Sequence, residues 1–367
     1  MTAVDTFGTD LYRLLADGHP DLVFSPLSVS AALRLAWYGA RGETRDELTR
    51  ALHPTAGARM PDLATSGSVT FRMANTAWVQ RGLRLESDYA RQLGGEAMTT
   101  LADADFTGAP GLAREKINAT VAEQTEQKIR DLLGPGDIDS RTRLVLANAV
   151  YLKARWSSPF PEHATSDAPF FPGDGTELKV PMMRGCASRA YKRGDGYQAV
   201  LLPYEASPLA MAIILPDGPL AGDPVATGAF ASGPIIGDLV SGTAPCLVDL
   251  RLPKFRLKTQ LALVPALNSL GIRQAFTPDA DFTGITTAER LHIDAVAHQA
   301  YLDVDEQGTE AAAATAVTMK TAAFVRPQTR VEMTVDRPFL FAIVDTRTTT
   351  ILFLGHLSTP RGTRGDC

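Results

Sequence analysis

The chain is short of the residues that most often carry chemistry. It has three cysteines, Cys186, Cys246 and Cys367, and six histidines in 367 residues. Three is an odd number, and the spacing fits no metal-ligand pattern, so neither a disulfide framework nor a metal site is expected. Cys246 reads as a small buried residue and Cys367 as a free thiol in a polar tail. Only His292 and His298 lie close together, and that spacing suits neither a helical nor a strand-face metal pair. G-x-S-x-G, H-E-x-x-H, the Walker loop and G-x-G-x-x-G are all absent, so no enzyme, and no cofactor, is indicated.

Other absences narrow the class further. Formal net charge is −5, which gives no electrostatic reason to expect nucleic acid or an anionic membrane as partner. No apolar run is long enough to span a bilayer. No Ser/Gly-rich linker or charge block divides the chain, and the Gly/Pro-rich patches at 134–136 and 216–224 are turn-sized. A single domain over 1–367 is therefore expected, ending in a polar tail at 361–367. Residues 1–10 carry neither a basic region nor an apolar core, which points to a cytoplasmic protein rather than one with a secretory signal. Two R-G-D triplets, at 193–195 and 364–366, read as chance tripeptides in a turn and in the tail.

What is present is α+β in pattern. Helices are expected at Ser28–Tyr38, Thr44–Leu52 and Ala113–Leu133, the last with Ile117, Val121, Ile129 and Leu132 inward. Strands are expected at 70–79, 144–153, 198–202, 210–215, 247–252, 300–304, 330–335, 339–345 and 351–357. Helices come first and strands dominate the second half.

The most informative stretch is Glu306–Ala316, E-Q-G-T-E-A-A-A-A-T-A. Alanine favours helix, so Glu310–Ala316 could form a turn or two of surface helix. The flanks favour another reading. Ala300–Asp305 alternates as a strand does, and residues 319–334 have no helical period. As a strand, this stretch would put Thr309, Ala311, Ala313, Thr315 and Val317 on one uncharged face of mostly small residues, with Glu310 opposite. Such a face can slide under a packed layer without desolvating a charge. Gly308 supplies backbone freedom for a hinge.

That stretch resembles the reactive-loop hinge of the serpins, E-x-G-T/S-E followed by small residues. Further blocks resemble the same family. Phe24-Ser25-Pro26-Leu27-Ser28-Val29-Ser30 is followed by Gly39-Ala40-Arg41-Gly42-Glu43-Thr44. Asn148-Ala149-Val150-Tyr151-Leu152-Lys153 runs on to Trp156 and Phe160. Pro253-Lys254-Phe255, Leu270-Gly271-Ile272 with Ala280-Asp281-Phe282-Thr283-Gly284-Ile285, Asp336-Arg337-Pro338-Phe339 and Phe353-Leu354-Gly355 complete the set. They keep family order over nearly the whole chain.

The resemblance implies an α+β fold of three sheets and about eight or nine helices, with an exposed reactive loop at 306–330. It implies a suicide-substrate inhibitor that forms a covalent acyl complex with a serine protease, acting as a monomer. The hinge would comprise Glu306, Gly308, Thr309, Glu310, Ala311, Ala312, Ala313, Ala314 and Thr315. Ser25, Ser28, Asn148 and His298 match a buried polar latch, and Lys254 and Trp156 match contacts at the top of the hinge. Counting from Glu306 puts the scissile bond at Ala322–Ala323, which suits elastase- or subtilisin-like pockets. Phe324, for a chymotrypsin-like pocket, and Arg326, followed by Pro327, stay as alternatives. The helix with Asn118 lacks the family's usual tryptophan, so weaker anchoring is expected there. Residues 53–69 carry a single arginine, Arg59, so no polyanion cofactor is expected. The alternative function is that of a non-inhibitory serpin, a carrier or chaperone. Such members usually have bulky or charged hinges, which Ala311–Thr315 does not.

Overall fold

A computed structural model describes residues 3–53, 69–93, 99–218, 233–309 and 330–360. Among them are seven α-helices: α1 (Ala3–Ala16), α2 (Pro26–Gly39), α3 (Gly42–Leu52), α4 (Ser87–Leu93), α5 (Pro110–Gln124), α6 (Gly233–Ser241) and α7 (Val264–Ser269). Two short 3-10 helices, Glu162–Ala164 and Gln274–Phe276, accompany them. The strands are β1 (Leu22–Phe24), β2 (Val69–Gln80), β3 (Thr100–Ala104), β4 (Leu144–Arg155), β5 (Ser166–Phe170), β6 (Leu178–Gly194), β7 (Tyr197–Pro203), β8 (Leu209–Pro216), β9 (Pro245–Pro253), β10 (Phe255–Ala262), β11 (Ala295–Val304), β12 (Gly308–Thr309), β13 (Arg330–Thr334), β14 (Phe339–Asp345) and β15 (Ile351–Leu357).

They form three sheets in a mixed α+β fold. One runs β10-β11-β12-β4-β2-β3. A second runs β1-β15-β14-β8-β7-β6 and shares the long β6 with a third, in which β6 also pairs β5 and β9, and β9 pairs β13. Between the first two sheets lies a core in which Phe255 meets Phe339 and Phe341, and Phe71 meets Phe353. A separate cluster joins the outer face of the first sheet to α5.

Local chemistry explains the elements that frame the site. Ser25 caps α2, its Oγ accepting from Ser28 N at 3.1 Å, and Pro26 takes the first turn, where a missing N–H costs nothing. α2 is then buried along most of its length. β10 alternates strictly, with Phe255, Leu257, Thr259 and Leu261 in and Arg256, Lys258 and Gln260 out.

The expected 113–133 helix is a correction. α5 stops at Gln124 because Thr125 Oγ1 donates to Val121 O at 2.7 Å, and Glu126 and Gln127 turn to positive φ, 51° and 63°. The chain then folds back, and Asn118 holds the Leu133 peptide at both ends, donating to its O and accepting from its N at 2.9 Å each. Ile117, Val121, Ile129 and Leu132 are all buried nonetheless. The apolar spacing marked a buried face correctly, but two segments share that face.

Candidate functional site

The site begins with a tight turn at the end of β11. Asp305 Oδ1 accepts from Gln307 N at 2.8 Å and Gly308 N at 3.1 Å, and Asp305 N donates to Gly308 O at 2.9 Å. Trp156 clamps the turn from the side. Its Nε1 donates to Asp305 O at 3.0 Å and its backbone N to Gln307 O at 2.9 Å. The Trp156 ring stacks on Tyr204, with centroids 4.7 Å apart and planes 10° from parallel.

Glu306 sits inside this turn, 7% exposed. Lys254 Nζ lies 2.7 Å from one carboxylate oxygen, and Thr165 Oγ1 donates to the other at 2.8 Å. Burial pushes the Glu306 carboxyl up, but the Lys254 and Thr165 hydrogen bonds outweigh it and hold the group below its usual range. Burial also raises Asp305.

The chain after the turn enters the sheet. Gly308 faces Arg155, and Thr309 lies between Ala154 of β4 and Val304 of β11, antiparallel to both. Gly308 is required here for a different reason from the one expected. Its φ is not positive, but a Cβ at this position would lie 2.0 Å from Ala154 O. Only a residue without a side chain fits so close to the neighbouring backbone. Thr309 is fully buried, its hydroxyl 2.6 Å from Tyr204 Oη. Beyond this two-residue wedge β4 and β11 close on each other. Ala295–Tyr301 pairs directly with Val145–Tyr151 in parallel.

Below the wedge, Asn148 of β4 and His298 of β11 form one buried cluster with Ser25 and Ser28 at the start of α2 and Asn75 of β2. Ser25 N donates to His298 Nε2 at 3.1 Å, so Nδ1 carries the proton and bonds Asn148 Oδ1. The Asn148 amide is shared among Ser28 O at 3.0 Å, Ser28 Oγ and Asn75 Oδ1. Asn75 Nδ2 donates to Ser28 O at 3.2 Å. Burial pushes His298 down to about 3, and protonating Nε2 would also oppose the Ser25 N–H.

Asn75, Tyr204, Thr165 and Asp305 are not among the site residues that the sequence points to. Asn75 left a trace, as a lone amide inside the apolar run of β2. Tyr204 left none, since its role depends on Trp156 and Thr309 reaching it through the fold.

Glu310, Ala311, Ala312, Ala313, Ala314, Thr315, Ala322, Ala323 and Phe324 lie outside the described residues, as do Cys367 and the second R-G-D triplet. Arg193 of the first triplet pairs with Asp217 at 2.8 Å. Cys246 is half-buried rather than buried, because β9 is overhung only in part at its start, and Cys186 is exposed. Among the described residues no three His, Cys, Asp or Glu side chains could share a metal, and no helix is long and apolar enough to cross a membrane.

Comparison with known proteins matches this frame. A family model described as serpin (serine protease inhibitor) fits residues 2–360. Leukocyte elastase inhibitor of Bos taurus is 34% identical, over 98% of this chain and 99% of its own. Among solved structures, a highly specific serpin of the insect Tenebrio molitor superposes with a TM-score of 0.84 at 27% identity, covering 98% of this chain and 97% of its own. Human thyroxine-binding globulin complexed with its ligand superposes at 0.83 and 26% identity, covering 98% of each chain.

Proposed function

The chain belongs to the serpin family, and on that premise we propose that it is a single-use inhibitor of serine proteases, trapping them by insertion of its own cleaved loop. The observation that carries this reading is the Gly308–Thr309 wedge. It starts a strand between β4 and β11, antiparallel to both, at the one place where those strands are parted.

The protease's serine oxygen attacks the carbonyl carbon of Ala322. The Ala322–Ala323 C–N bond breaks, the amine leaves with a proton, and an ester joins the protease to Ala322. The freed segment then continues the strand that β12 begins. Direct parallel pairing of β4 with β11 is exchanged for two antiparallel ladders, which is the favourable direction. The run from Glu310 to Ala322, thirteen residues, carries the protease about 45 Å at strand rise. Its catalytic groups lose register and the ester is not hydrolysed.

The ladders give that insertion a register. Thr309 faces Val304 and Ala154, so six residues on, Thr315 arrives between His298 and Asn148. A hydroxyl is thereby delivered to the buried polar cluster, which must exchange the His298–Asn148 bond for bonds to the newcomer. The apolar small residues of Ala311–Ala314 need no partner of that kind.

The test is a panel of serine proteases of elastase, subtilisin and chymotrypsin type, mixed with the intact chain. The expected result is a covalent complex that survives SDS. Clean cleavage without a complex across the panel overturns the inhibitory reading and returns the carrier or chaperone in its place.

A further inference from the structure

Residues 310–329 are bracketed by two described residues, each fixed to the body of the protein. Thr309 is held by β4, β11 and Tyr204. Arg330, at the other end, opens β13, and what holds β13 is unusual. It is a five-residue strand on the edge of its sheet, parallel to β9, with Met333 as its one fully buried side chain. A short parallel edge ladder with so little burial is weakly held by packing and backbone alone.

The remainder comes from charge. Asp249, in the middle of β9, faces Glu332 of β13 on one side and Cys186 of β6 on the other. Two carboxylates directly opposite each other destabilise a strand pair. Two arginines reverse that. Arg184 grips Asp249 with two parallel bonds, Nε to Oδ1 at 3.1 Å and Nη2 to Oδ2 at 2.8 Å. Arg330 Nη2 donates to Oδ2 at 2.6 Å. The Asp249 side chain is 4% exposed, whereas those of Arg184 and Arg330 are about half exposed. Arg184 first, and Arg330 after it, hold the Asp249 carboxyl well below the usual range. The four groups, two of each sign, sum to zero, and with β13 in place Arg330 offsets the repulsion between Asp249 and Glu332.

We infer that Asp249 is a positioning residue for the far end of the reactive loop: through Arg330 it keeps β13 on the sheet edge, and so fixes where residues 310–329 are presented to a protease. This rests on the inhibitory reading above. Fixing both ends restricts the shapes the intervening chain explores, which lowers the ordering cost of engagement. Arg184 holds Asp249 upright but cannot replace Arg330, because β6 and β9 are already joined along nine residue pairs.

Hydrogen exchange with and without protease tests the two halves separately. Arg330→Met removes the strut while leaving Asp249 paired to Arg184, so the fold is expected to survive. Backbone amides of 330–334 should exchange about ten-fold faster than in the unaltered chain, with β6 and β9 unchanged. The rate of covalent complex formation should fall by a similar factor, and Arg330→Lys should restore most of both. Unchanged protection of 330–334 in Arg330→Met and in Asp249→Asn overturns the clamp. Faster exchange with an unchanged association rate overturns its role in presenting the loop. A native chain that traps no protease counts against the inhibitory reading, while the exchange data still decide whether Asp249 holds β13.

Discussion

Tyr204 Oη and Thr309 Oγ1 lie 2.6 Å apart with both side chains out of contact with water. Burial pushes the Tyr204 phenol well above its ordinary range, so it stays neutral and able to donate. The ring cannot swing away, because Trp156 is stacked on it and Trp156 is tied to the turn that positions Thr309. Three residues distant in sequence thus hold Thr309 in place between β4 and β11.

The first prediction follows from that contact. Thr309→Arg places a charge where Tyr204 offers only a hydroxyl, and an unpaired buried charge costs several kcal/mol. The fold should survive with the wedge expelled, and the variant should be turned over as a substrate. Tyr204→Phe removes one hydrogen bond, about 1 kcal/mol, and should reduce trapping only partly. Gel analysis of trapped against released protease measures both. A Thr309→Arg chain that traps as well as the original removes the insertion model for this hinge.

A second prediction concerns pH. His298 is held neutral in the fold, its value pushed down to about 3, whereas an unfolded histidine titrates near 6.5. As pH falls through about 6.5 the unfolded chain takes up a proton that the native chain refuses, so stability drops with falling pH until the folded value is reached. Between pH 7 and pH 5 this one residue removes about 2 kcal/mol. His356, also depressed by burial, acts with the same sign. Urea midpoints measured across that window provide the check, and equal midpoints at pH 7 and pH 5 contradict it.

Gln299 gives a third. It is fully buried on β11, and among the described residues neither its Oε1 nor its Nε2 has a hydrogen-bond partner. Its neighbours across the strands are Gln260, whose amide is committed to Leu132 O, and Ala149. An orphaned amide costs about 1–3 kcal/mol. Gln299→Met keeps the volume and removes the polar atoms, so the intact protein should melt a few degrees higher. Because the gain stabilises the state in which β4 and β11 are closed, insertion should slow as well. A lower melting temperature would show that the amide is satisfied in solution.

How far the sequence could take this argument differs by element. Phe255–Ala262 has a plain two-residue period that the sequence reading passes over, so β10 was there to be found. β6 was not. Its seventeen residues pair β7 at one end and β5 and β9 at the other, and no single alternation survives that change of neighbours. In α5 the apolar spacing named the right buried residues, yet a single threonine hydroxyl ends the helix. That Gly308 and Thr309 are small and uncharged was legible, because these are properties of the chain itself. The depth of the wedge was not. It is set by Tyr204, Trp156 and Ala154 O, which reach Gly308 and Thr309 only in the folded state.

Nicking supplies the fourth prediction. A cut in a surface loop ordinarily lowers stability or leaves it unchanged. Here it would free a strand to replace the direct parallel β4–β11 pairing with two antiparallel ladders. The nicked form should melt well above the intact form. Thr315→Glu should abolish most of that rise, since it brings a carboxylate beside Asn148 and His298 in place of a hydroxyl. Scanning calorimetry of intact and nicked samples decides it, and equal melting temperatures for the unaltered chain count against stored free energy.

The last prediction names the bond. The serpin family's spacing from the hinge glutamate to the attacked residue, counted from Glu306, ends at Ala322, with Thr321 and Ala323 as small neighbours. A shallow apolar specificity pocket accepts alanine, whereas a deep aromatic or acidic pocket gains little from it. Phe324 competes, because it fills a chymotrypsin-type pocket and lengthens the inserted strand by only two residues. Two residues are about 7 Å of strand, a small increment on the displacement required. Arg326 competes less well, since Pro327 follows it and a proline after the scissile residue resists attack. The order expected is therefore Ala322, then Phe324, then Arg326. Sequencing the fragment released from the complex reads the answer directly. An amino terminus at Ala323 supports an elastase- or subtilisin-type target, and one at Val325 moves both the bond and the target class to the chymotrypsin type.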